Sequence, residues 1–181
     1  MKRICIFCGS SPGRNPEYLQ SARNMARVLL DLNIGLVYGG ARVGIMGEIA
    51  DTMLAGGGEV YGVMPASLVK AEIAHDGLTE LRVVESMHDR KFLMAEWSDG
   101  FIALPGGIGT LEEIFEALTW TQLGIHNKPC GLLNTAGYYR QLCEFLDHAV
   151  DEQFIKPSNR QLLLVDSDPS RLVQRMQDAA G

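Results

Sequence analysis

Residues 100–113 read GFIALPGGIGTLEE and set the fold class. The apolar residues that open this stretch predict a short buried strand, and the glycine-rich loop after them leads into a segment with helical spacing. That helix, expected over 110–123, would turn four apolar side chains toward a core: Leu111, Ile114, Phe115 and Leu118. A strand that runs through a short loop into a helix is the repeating unit of an α/β fold.

Short apolar runs alternate with segments of helical spacing along the whole chain. The runs predict strands at 3–8, 35–38, 59–63, 81–84, 100–104, 130–133 and 162–165. Most of these runs are apolar at successive positions, which is typical of strands that helices cover on both faces. We therefore expect a Rossmann-like, doubly wound α/β fold, with a largely parallel sheet of about seven strands and helices on both faces.

Cap residues mark the starts of two predicted helices. The first would begin with Asn15 as N-cap and Pro16 in its first turn, and Gly35 would lie just beyond its end. The last would begin in the same way at Asp168 and its following proline. Further helices are expected at 43–55, 87–98, 110–123 and 137–152.

Length and charge restrict the function classes. The 181 residues predict one domain over 1–181, which we expect to bind nucleotides. No apolar run reaches the roughly 18 to 20 residues that a membrane helix needs, and the N-terminal MKRICIFCGSS lacks the pattern of a cleavable leader. We expect a cytoplasmic protein with no membrane partner. The net charge of −6 opposes general attraction to nucleic acid, so we expect no nucleic-acid partner.

Cysteine and histidine usage bears on redox and metal chemistry. Four cysteines are too few for a disulfide-built scaffold of this length. Cys5 and Cys8 have the spacing of a redox pair, but they fall in a predicted strand and not at a helix start, so we expect buried thiols. The four histidines form no pattern typical of metal ligands. We therefore expect no bound metal and no cofactor.

Glycine-rich stretches follow three of the predicted strands: CGSS at 8–11, GGARVG at 39–44 and PGGIGT at 105–110. Ligands of doubly wound folds bind beyond the carboxyl ends of the strands, so these loops form the candidate ligand site. At the third loop, the free N–H groups and the positive end of the helix dipole favour an anion. The loop matches neither the P-loop motif nor GxGxxG, so a nucleoside monophosphate fits better than ATP or NAD.

Glu113 has two interpretations. Thr110 and Glu113 form the pattern of a capping box, in which the Glu113 carboxylate would accept a hydrogen bond from the Thr110 backbone N–H. Alternatively, the Glu113 carboxylate is a catalytic group, and the local pattern leaves both interpretations open. Glu112 and Glu116, on the same helix, are expected to be solvated charges.

Residues 87–91 read MHDRK and form a second candidate segment. Arg90 and Lys91 are adjacent cations near the expected start of a helix, where positive charge opposes the local dipole. An anionic ligand or a carboxylate would offset this penalty. A solvated Arg-Lys pair is the alternative interpretation.

The combination of MHDRK at 87–91 with PGGIGTLEE at 105–113 resembles the LOG (Lonely Guy) family of cytokinin-activating phosphoribohydrolases. The stretches CGSS, YGGARVGIMG, TWTQLGIHNKP and GLLN resemble the same family, and the resemblance extends over roughly 3–165. It implies a Rossmann-like homodimer whose partner molecule is a small nucleoside monophosphate. The implied reaction is hydrolysis of the N-glycosidic bond of adenine-type nucleoside 5′-monophosphates, such as a cytokinin riboside 5′-monophosphate or AMP, to free base and ribose 5-phosphate.

The resemblance also implies roles for individual residues. Arg90 and Glu113 match the catalytic pair: Glu113 would stabilise positive charge on the ribose and orient water, and Arg90 would keep Glu113 ionised. The phosphate would lie on the backbone of the glycine loop. The positions that match substrate contacts are Glu72, Arg90, Lys91, Gly107, Ile108, Gly109, Thr110, Leu111, Glu112, Glu113 and Thr119.

Trp120 gives some independent support for a homodimer. It lies on the Glu113 side of its helix, opposite the predicted apolar stripe, and we expect it to contact a second copy of the chain. Packing under a neighbouring loop of the same chain is the alternative.

Three other functions stay open on the sequence. A nucleotide carrier would use the glycine loops without turnover. A lysine decarboxylase, a name sometimes attached to similar sequences, would need pyridoxal phosphate and a Schiff-base lysine, which nothing here marks. A broader nucleosidase would act on other purine or on pyrimidine monophosphates.

Overall fold

The computed structural model describes residues 1–69 and 74–181, and these residues form one seven-stranded sheet. The strand order is β4-β3-β2-β1-β5-β6-β7, and every neighbouring pair is parallel. The strands are β1 (Arg3–Phe7), β2 (Gly35–Tyr38), β3 (Val60–Pro65), β4 (Glu80–Val84), β5 (Phe101–Ala103), β6 (Cys130–Leu133) and β7 (Leu163–Asp166). The prediction of a parallel seven-stranded sheet is confirmed.

Helices cover both faces of the sheet, as predicted. They are α1 (Glu17–Asp31), α2 (Gly44–Ala55), α3 (Ala66–Val69), α4 (Met87–Glu96), α5 (Ile108–Gln122), α6 (Arg140–Asp151), α7 (Pro157–Arg160) and α8 (Pro169–Ala180). α1, α2 and α8 contribute buried residues to one apolar core, and α4, α5 and α6 contribute to the other. The short helices α3 and α7 were not predicted, because four residues are too few to show a helical period.

Alternate residues of β1 face the two cores. Ile4 and Ile6 belong to the first core, and Cys5 and Phe7 belong to the second. Cys5 and Cys8 are free thiols, as predicted, and both are buried. Burial, with a smaller contribution from the Glu113 charge, raises the pKa of both thiols, so they stay protonated at neutral pH.

Helix boundaries agree with the cap predictions in part. The Asp168 side chain accepts a hydrogen bond from the Arg171 N–H at 2.8 Å, which confirms the cap of α8. The cap position of α1 is Pro16, and the Asn15 side chain still accepts a hydrogen bond from the Glu17 N–H at 3.0 Å. Gly35 lies beyond the end of α1, as predicted. The left-handed residue after α1 is Asn33, with φ of 53°, and Gly35 opens β2.

The crevice for a ligand lies where the strand order changes direction, between β1 and β5. The loops that follow these strands touch, because the Gly9 N–H donates a hydrogen bond to the Pro105 carbonyl at 3.1 Å. The Ile45 N–H, at the start of α2, donates to the Gly9 carbonyl at 3.0 Å. The three glycine-rich stretches therefore meet at one edge of the sheet. Among the residues that the structure describes, no helix is both long and apolar enough to cross a bilayer.

Candidate active site

Helix α5 begins at Ile108, two residues before the predicted start at 110. The Leu111 N–H already donates to the Gly107 carbonyl at 3.2 Å, which makes Gly107 the N-cap and places the buried Thr110 inside the first turn. The capping-box interpretation of Glu113 is therefore wrong, because Thr110 is not the N-cap. Glu113 lies beyond the first turn of α5 and lines the cavity described below.

The start of α5 is open toward the crevice. Helix geometry leaves the N–H groups of residues 107–110 without acceptors in the helix, and the dipole adds partial positive charge there. A Cβ atom at Gly107 or Gly109 would meet no atom within 4 Å among the residues that the structure describes. At Gly106, by contrast, a Cβ atom would clash with the Thr110 Oγ1, so this position accepts only glycine.

Arg90 is buried and lies beside Glu113. The Arg90 Nη1 is 3.7 Å from the Glu113 Oε1, and the two side chains are 9% and 12% exposed. The Arg90 Nε donates a hydrogen bond to the Val63 carbonyl at 3.1 Å, which fixes the guanidinium at the carboxyl end of β3. The interpretation of Arg90 as part of a solvated pair is wrong. The two opposite charges lie within ion-pair distance of each other.

Gly39, which follows β2, has no side chain, and the Arg90 guanidinium packs directly against its backbone. A Cβ atom at this position would clash with the Arg90 Nη2. Sequence reasoning placed Gly39 in a candidate loop but gave it no role, because the contact joins residues far apart in the chain. No local signal could have revealed it.

The start of α4 carries its own cap, which offsets part of the unfavourable charge. The Ser86 Oγ accepts a hydrogen bond from the Asp89 N–H at 3.1 Å and donates one to the Asp89 carboxylate at 2.6 Å. The negative charge of Asp89, in the first turn, interacts favourably with the helix dipole, whereas the positive charges of Arg90 and Lys91 interact unfavourably.

Lys91 forms ion pairs with two carboxylates of α5. Its Nζ lies 2.6 Å from the Glu112 Oε1 and 2.9 Å from the Glu116 Oε1. Burial lowers the pKa of Lys91, but the hydrogen bonds and charges of these two carboxylates outweigh burial and raise it. Glu112 is exposed, as predicted, whereas Glu116 is partly buried, and both carboxylates join α5 to α4 through Lys91.

A cavity of about 410 Å³ contains the site. Its walls include the loop after β1 and three apolar side chains that sequence reasoning missed: Met46, Leu68 and Met87. The predicted site residues that line it are Arg90, Gly107, Ile108, Gly109, Thr110, Glu112 and Glu113.

The remaining predicted contacts lie elsewhere. Lys91, Leu111 and Thr119 are outside the lining of this cavity, and the Thr119 hydroxyl donates to the Phe115 carbonyl at 2.7 Å. Glu72 lies outside the residues that the structure describes. Contact of these four residues with substrate stays a prediction.

Trp120 packs against its own chain. It is half-buried, borders the second core beside Phe7 and Phe101, and makes an edge contact with His126 at a ring-centroid distance of 6.2 Å. Trp120 therefore packs within its own chain, as the alternative interpretation expects, and its contact with a second copy stays a prediction.

All four side chains of the predicted apolar stripe of α5 pack against the second core, as predicted, although only Ile114 is fully buried. The buried face of the helix carries Thr110, Ile114 and Ala117, and three members of the predicted stripe are only half-buried: Leu111, Phe115 and Leu118. The early start of the helix explains the difference, because Thr110 is part of the helix and packs beneath the glycine loop.

Comparisons with known proteins agree with this geometry. A family model described as "Possible lysine decarboxylase" matches residues 46–176. A cytokinin riboside 5′-monophosphate phosphoribohydrolase from Rhodococcoides fascians is 54% identical over 168 residues, which cover 92% of this chain and 85% of the relative. This chain belongs to the LOG family. A LOG-family relative of the same name from Arabidopsis thaliana is 48% identical over 177 residues, covering 98% of this chain and 83% of its own.

Solved structures share the fold of this LOG-family chain. The molybdenum cofactor binding protein from Rippkaea orientalis superposes with a TM-score of 0.72 at 24% identity, covering 100% of this chain and 99% of its own. The molybdenum cofactor carrier protein from Chlamydomonas reinhardtii gives a TM-score of 0.74 at 20% identity, covering 98% of this chain and 97% of its own. At these identities the likeness extends to the fold alone.

Proposed function

We propose that this LOG-family chain is a phosphoribohydrolase. It hydrolyses the N-glycosidic bond of adenine-type nucleoside 5′-monophosphates, a cytokinin riboside 5′-monophosphate, AMP or both, to the free base and ribose 5-phosphate. The observation that carries this proposal is the buried pair of Arg90 and Glu113, which lines the same cavity as the open start of α5. The start of α5 can bind an anion, and the Glu113 carboxylate can stabilise a developing positive charge.

The reaction breaks the bond between C1′ and the base nitrogen through an oxocarbenium-like transition state, as in glycoside hydrolysis. The Glu113 carboxylate stabilises the positive charge on the ribose and orients the attacking water. The water oxygen forms the new bond to C1′, and its proton ends on the departing base. Arg90 forms a 3.7 Å ion pair with Glu113 and holds its carboxylate in position before substrate binds.

The 5′-phosphate binds at the start of α5 in this proposal. The N–H groups of residues 107–110 and the Thr110 hydroxyl provide donors, and the helix dipole favours negative charge. Binding energy at the phosphate holds C1′ against Glu113, so energy from a remote group supports the chemical step. The base packs against the apolar side chains of Met46, Leu68 and Met87, which line the cavity.

We also propose that the enzyme works in the cytoplasm as a homodimer. Exposed apolar side chains support a second copy, since Phe92 of α4 is 64% exposed and Leu123, just after α5, is 66% exposed. Light scattering on the purified protein tests the dimer. A monomer at micromolar concentration would contradict it.

The decarboxylase alternative has a specific observation against it. A Schiff-base lysine needs a lowered pKa so that its amine is free to attack. Lys91, next to the catalytic pair, has a raised pKa because two carboxylates hold its ammonium. The position of this lysine therefore favours the hydrolase over the decarboxylase.

Product analysis tests the proposed function. Purified protein is incubated with AMP, with isopentenyladenosine monophosphate and with a pyrimidine monophosphate, and the products are separated by chromatography. We expect equimolar free base and ribose 5-phosphate from the adenine-type substrates, and none from the Glu113→Gln variant. Bound nucleotide that stays intact would instead favour a carrier, and equal cleavage of the pyrimidine substrate would favour a broader nucleosidase.

A further inference from the structure

Tyr138 lies behind the glycine loop of the proposed phosphate site. It follows a tight turn at Thr135–Gly137, in which Ala136 and Gly137 have left-handed backbones with φ of 51° and 72°. A left-handed backbone is uncommon for alanine and is energetically unfavourable. The surrounding structure holds this turn in place, and the turn brings the Tyr138 ring back over residue 106.

The Tyr138 hydroxyl donates a hydrogen bond to the Gly106 carbonyl at 2.5 Å. Its ring makes edge contacts with Tyr18 and Tyr139, at centroid distances of 5.5 and 4.9 Å. Tyr138, Tyr18 and Gly106 line a second cavity of about 300 Å³, whereas none of the three lines the cavity that holds Arg90 and Glu113. Tyr138 therefore contacts the glycine loop at Gly106 from the side opposite the proposed catalytic pair.

The hydrogen bond from Tyr138 to the Gly106 carbonyl also fixes the direction of the Gly107 N–H, a candidate donor to the phosphate. The Gly106 carbonyl and the Gly107 N–H belong to one planar trans peptide, so they point in opposite directions. The hydroxyl that holds the carbonyl on one side of the loop thereby directs the Gly107 N–H to the other. Gly107 borders both cavities, and the proposed phosphate site lies in the cavity that holds Arg90 and Glu113.

We propose that Tyr138 is a positioning residue that orients the Gly107 N–H toward the 5′-phosphate. The proposal rests on the proposed function, because it gives that phosphate one of its donors. Tyr138 does not touch the substrate and takes no part in bond cleavage. Its removal should weaken phosphate binding and leave the chemical step almost unchanged.

Tyr139 provides a matched control. Its hydroxyl donates to the Leu104 carbonyl at 2.6 Å, and the residue is buried. That carbonyl belongs to the peptide between Leu104 and Pro105, and proline has no N–H to direct. Tyr139→Phe therefore removes an equivalent hydroxyl next along the chain, with an effect on stability but not on a phosphate donor.

Binding of ribose 5-phosphate to wild type, Tyr138→Phe and Tyr139→Phe, measured by calorimetry, tests the proposal. We expect Tyr138→Phe to raise the Kd by about tenfold, the upper range for one neutral hydrogen bond, with no loss of thermal stability beyond that of Tyr139→Phe. The KM for AMP should rise by a similar factor, kcat should stay within about twofold, and the KM for adenosine should not change.

Two results would overturn the role of Tyr138: an unchanged Kd in Tyr138→Phe, or an equal rise in Tyr139→Phe. Both differ from a failure of the proposed function. If wild-type protein binds no ribose 5-phosphate and cleaves no AMP, the phosphate site itself is absent, and the role of Tyr138 is lost with it.

Discussion

The Arg90 guanidinium and the Glu113 carboxylate face each other at 3.7 Å, on two different helices and almost shielded from solvent. Buried charges are costly unless an opposite charge accompanies them. Each charge therefore stabilises the other in this buried position. Both side chains line the cavity at the start of α5. This location beside an open crevice supports the catalytic role that we propose for the pair.

Replacing Glu113 by Gln should remove catalysis and keep the fold. Glutamine preserves size and one acceptor oxygen but lacks the charge that stabilises the transition state, so kcat should fall by about a hundredfold or more. The free energy of unfolding should fall by about 1 to 3 kcal/mol, because Arg90 loses its counter-charge. Steady-state kinetics and urea unfolding measure the two effects.

Glu116→Gln is the control for that substitution. Glu116 lies on the same helix, contacts Lys91 and does not line the cavity. Its activity should stay within about threefold of wild type, since a partly exposed ion pair contributes little. Equal losses in the two variants would argue against a special role for Glu113.

Gly39→Ala should act through Arg90. The added methyl group meets the guanidinium, which would move away from Glu113, and we expect a loss in kcat of about tenfold to a hundredfold. A double-mutant cycle with Arg90→Ala isolates the cause. Once Arg90 is gone, Gly39→Ala should have almost no further effect, and additive losses would show that the methyl group acts on something else.

The fold was predictable because its signals are local, whereas much of the site was not. Strands such as β2 and β6 are short runs of buried residues, and their apolar character alone marks them. Thr110 and Glu113 matched a capping box, yet Gly107 began the helix earlier, and a local pattern cannot decide which of two acceptable caps is used. The role of Gly39 depends on a contact with α4 that only the folded chain creates.

Lys91→Gln should separate two roles for that residue. In the structure Lys91 joins α4 to α5 through ion pairs with Glu112 and Glu116. Lys91 and Glu112 are the chain neighbours of Arg90 and Glu113, the proposed catalytic pair. If this connection is its role, kcat should fall by about tenfold, with little change in KM for AMP, because small misplacements of catalytic groups are costly. A rise in KM alone would instead support direct contact with substrate.

His126 should make stability depend on pH. Burial, with a smaller contribution from the Lys128 charge, lowers the pKa of His126 below its ordinary value of 6.5. Between the lowered pKa and 6.5 the unfolded chain binds more protons at this site than the folded chain, so the free energy of unfolding falls as the pH falls through that window.

Urea unfolding of wild type and His126→Asn between pH 5 and 8 measures this dependence. The variant should show a flatter decline below about pH 6.5, because the group that takes up the proton is absent. His88→Asn, which replaces an exposed histidine, is the matched control and should keep the wild-type slope. Parallel curves for wild type and His126→Asn would contradict the prediction.

The ratio of kcat/KM for AMP to that for adenosine is the measurement on which the proposed mechanism depends. If phosphate binding at the start of α5 holds C1′ against Glu113, AMP should be preferred by about a hundredfold or more, and Glu113→Gln should abolish both activities. Comparable values for AMP and adenosine would contradict the mechanism, because the phosphate would then contribute nothing to cleavage.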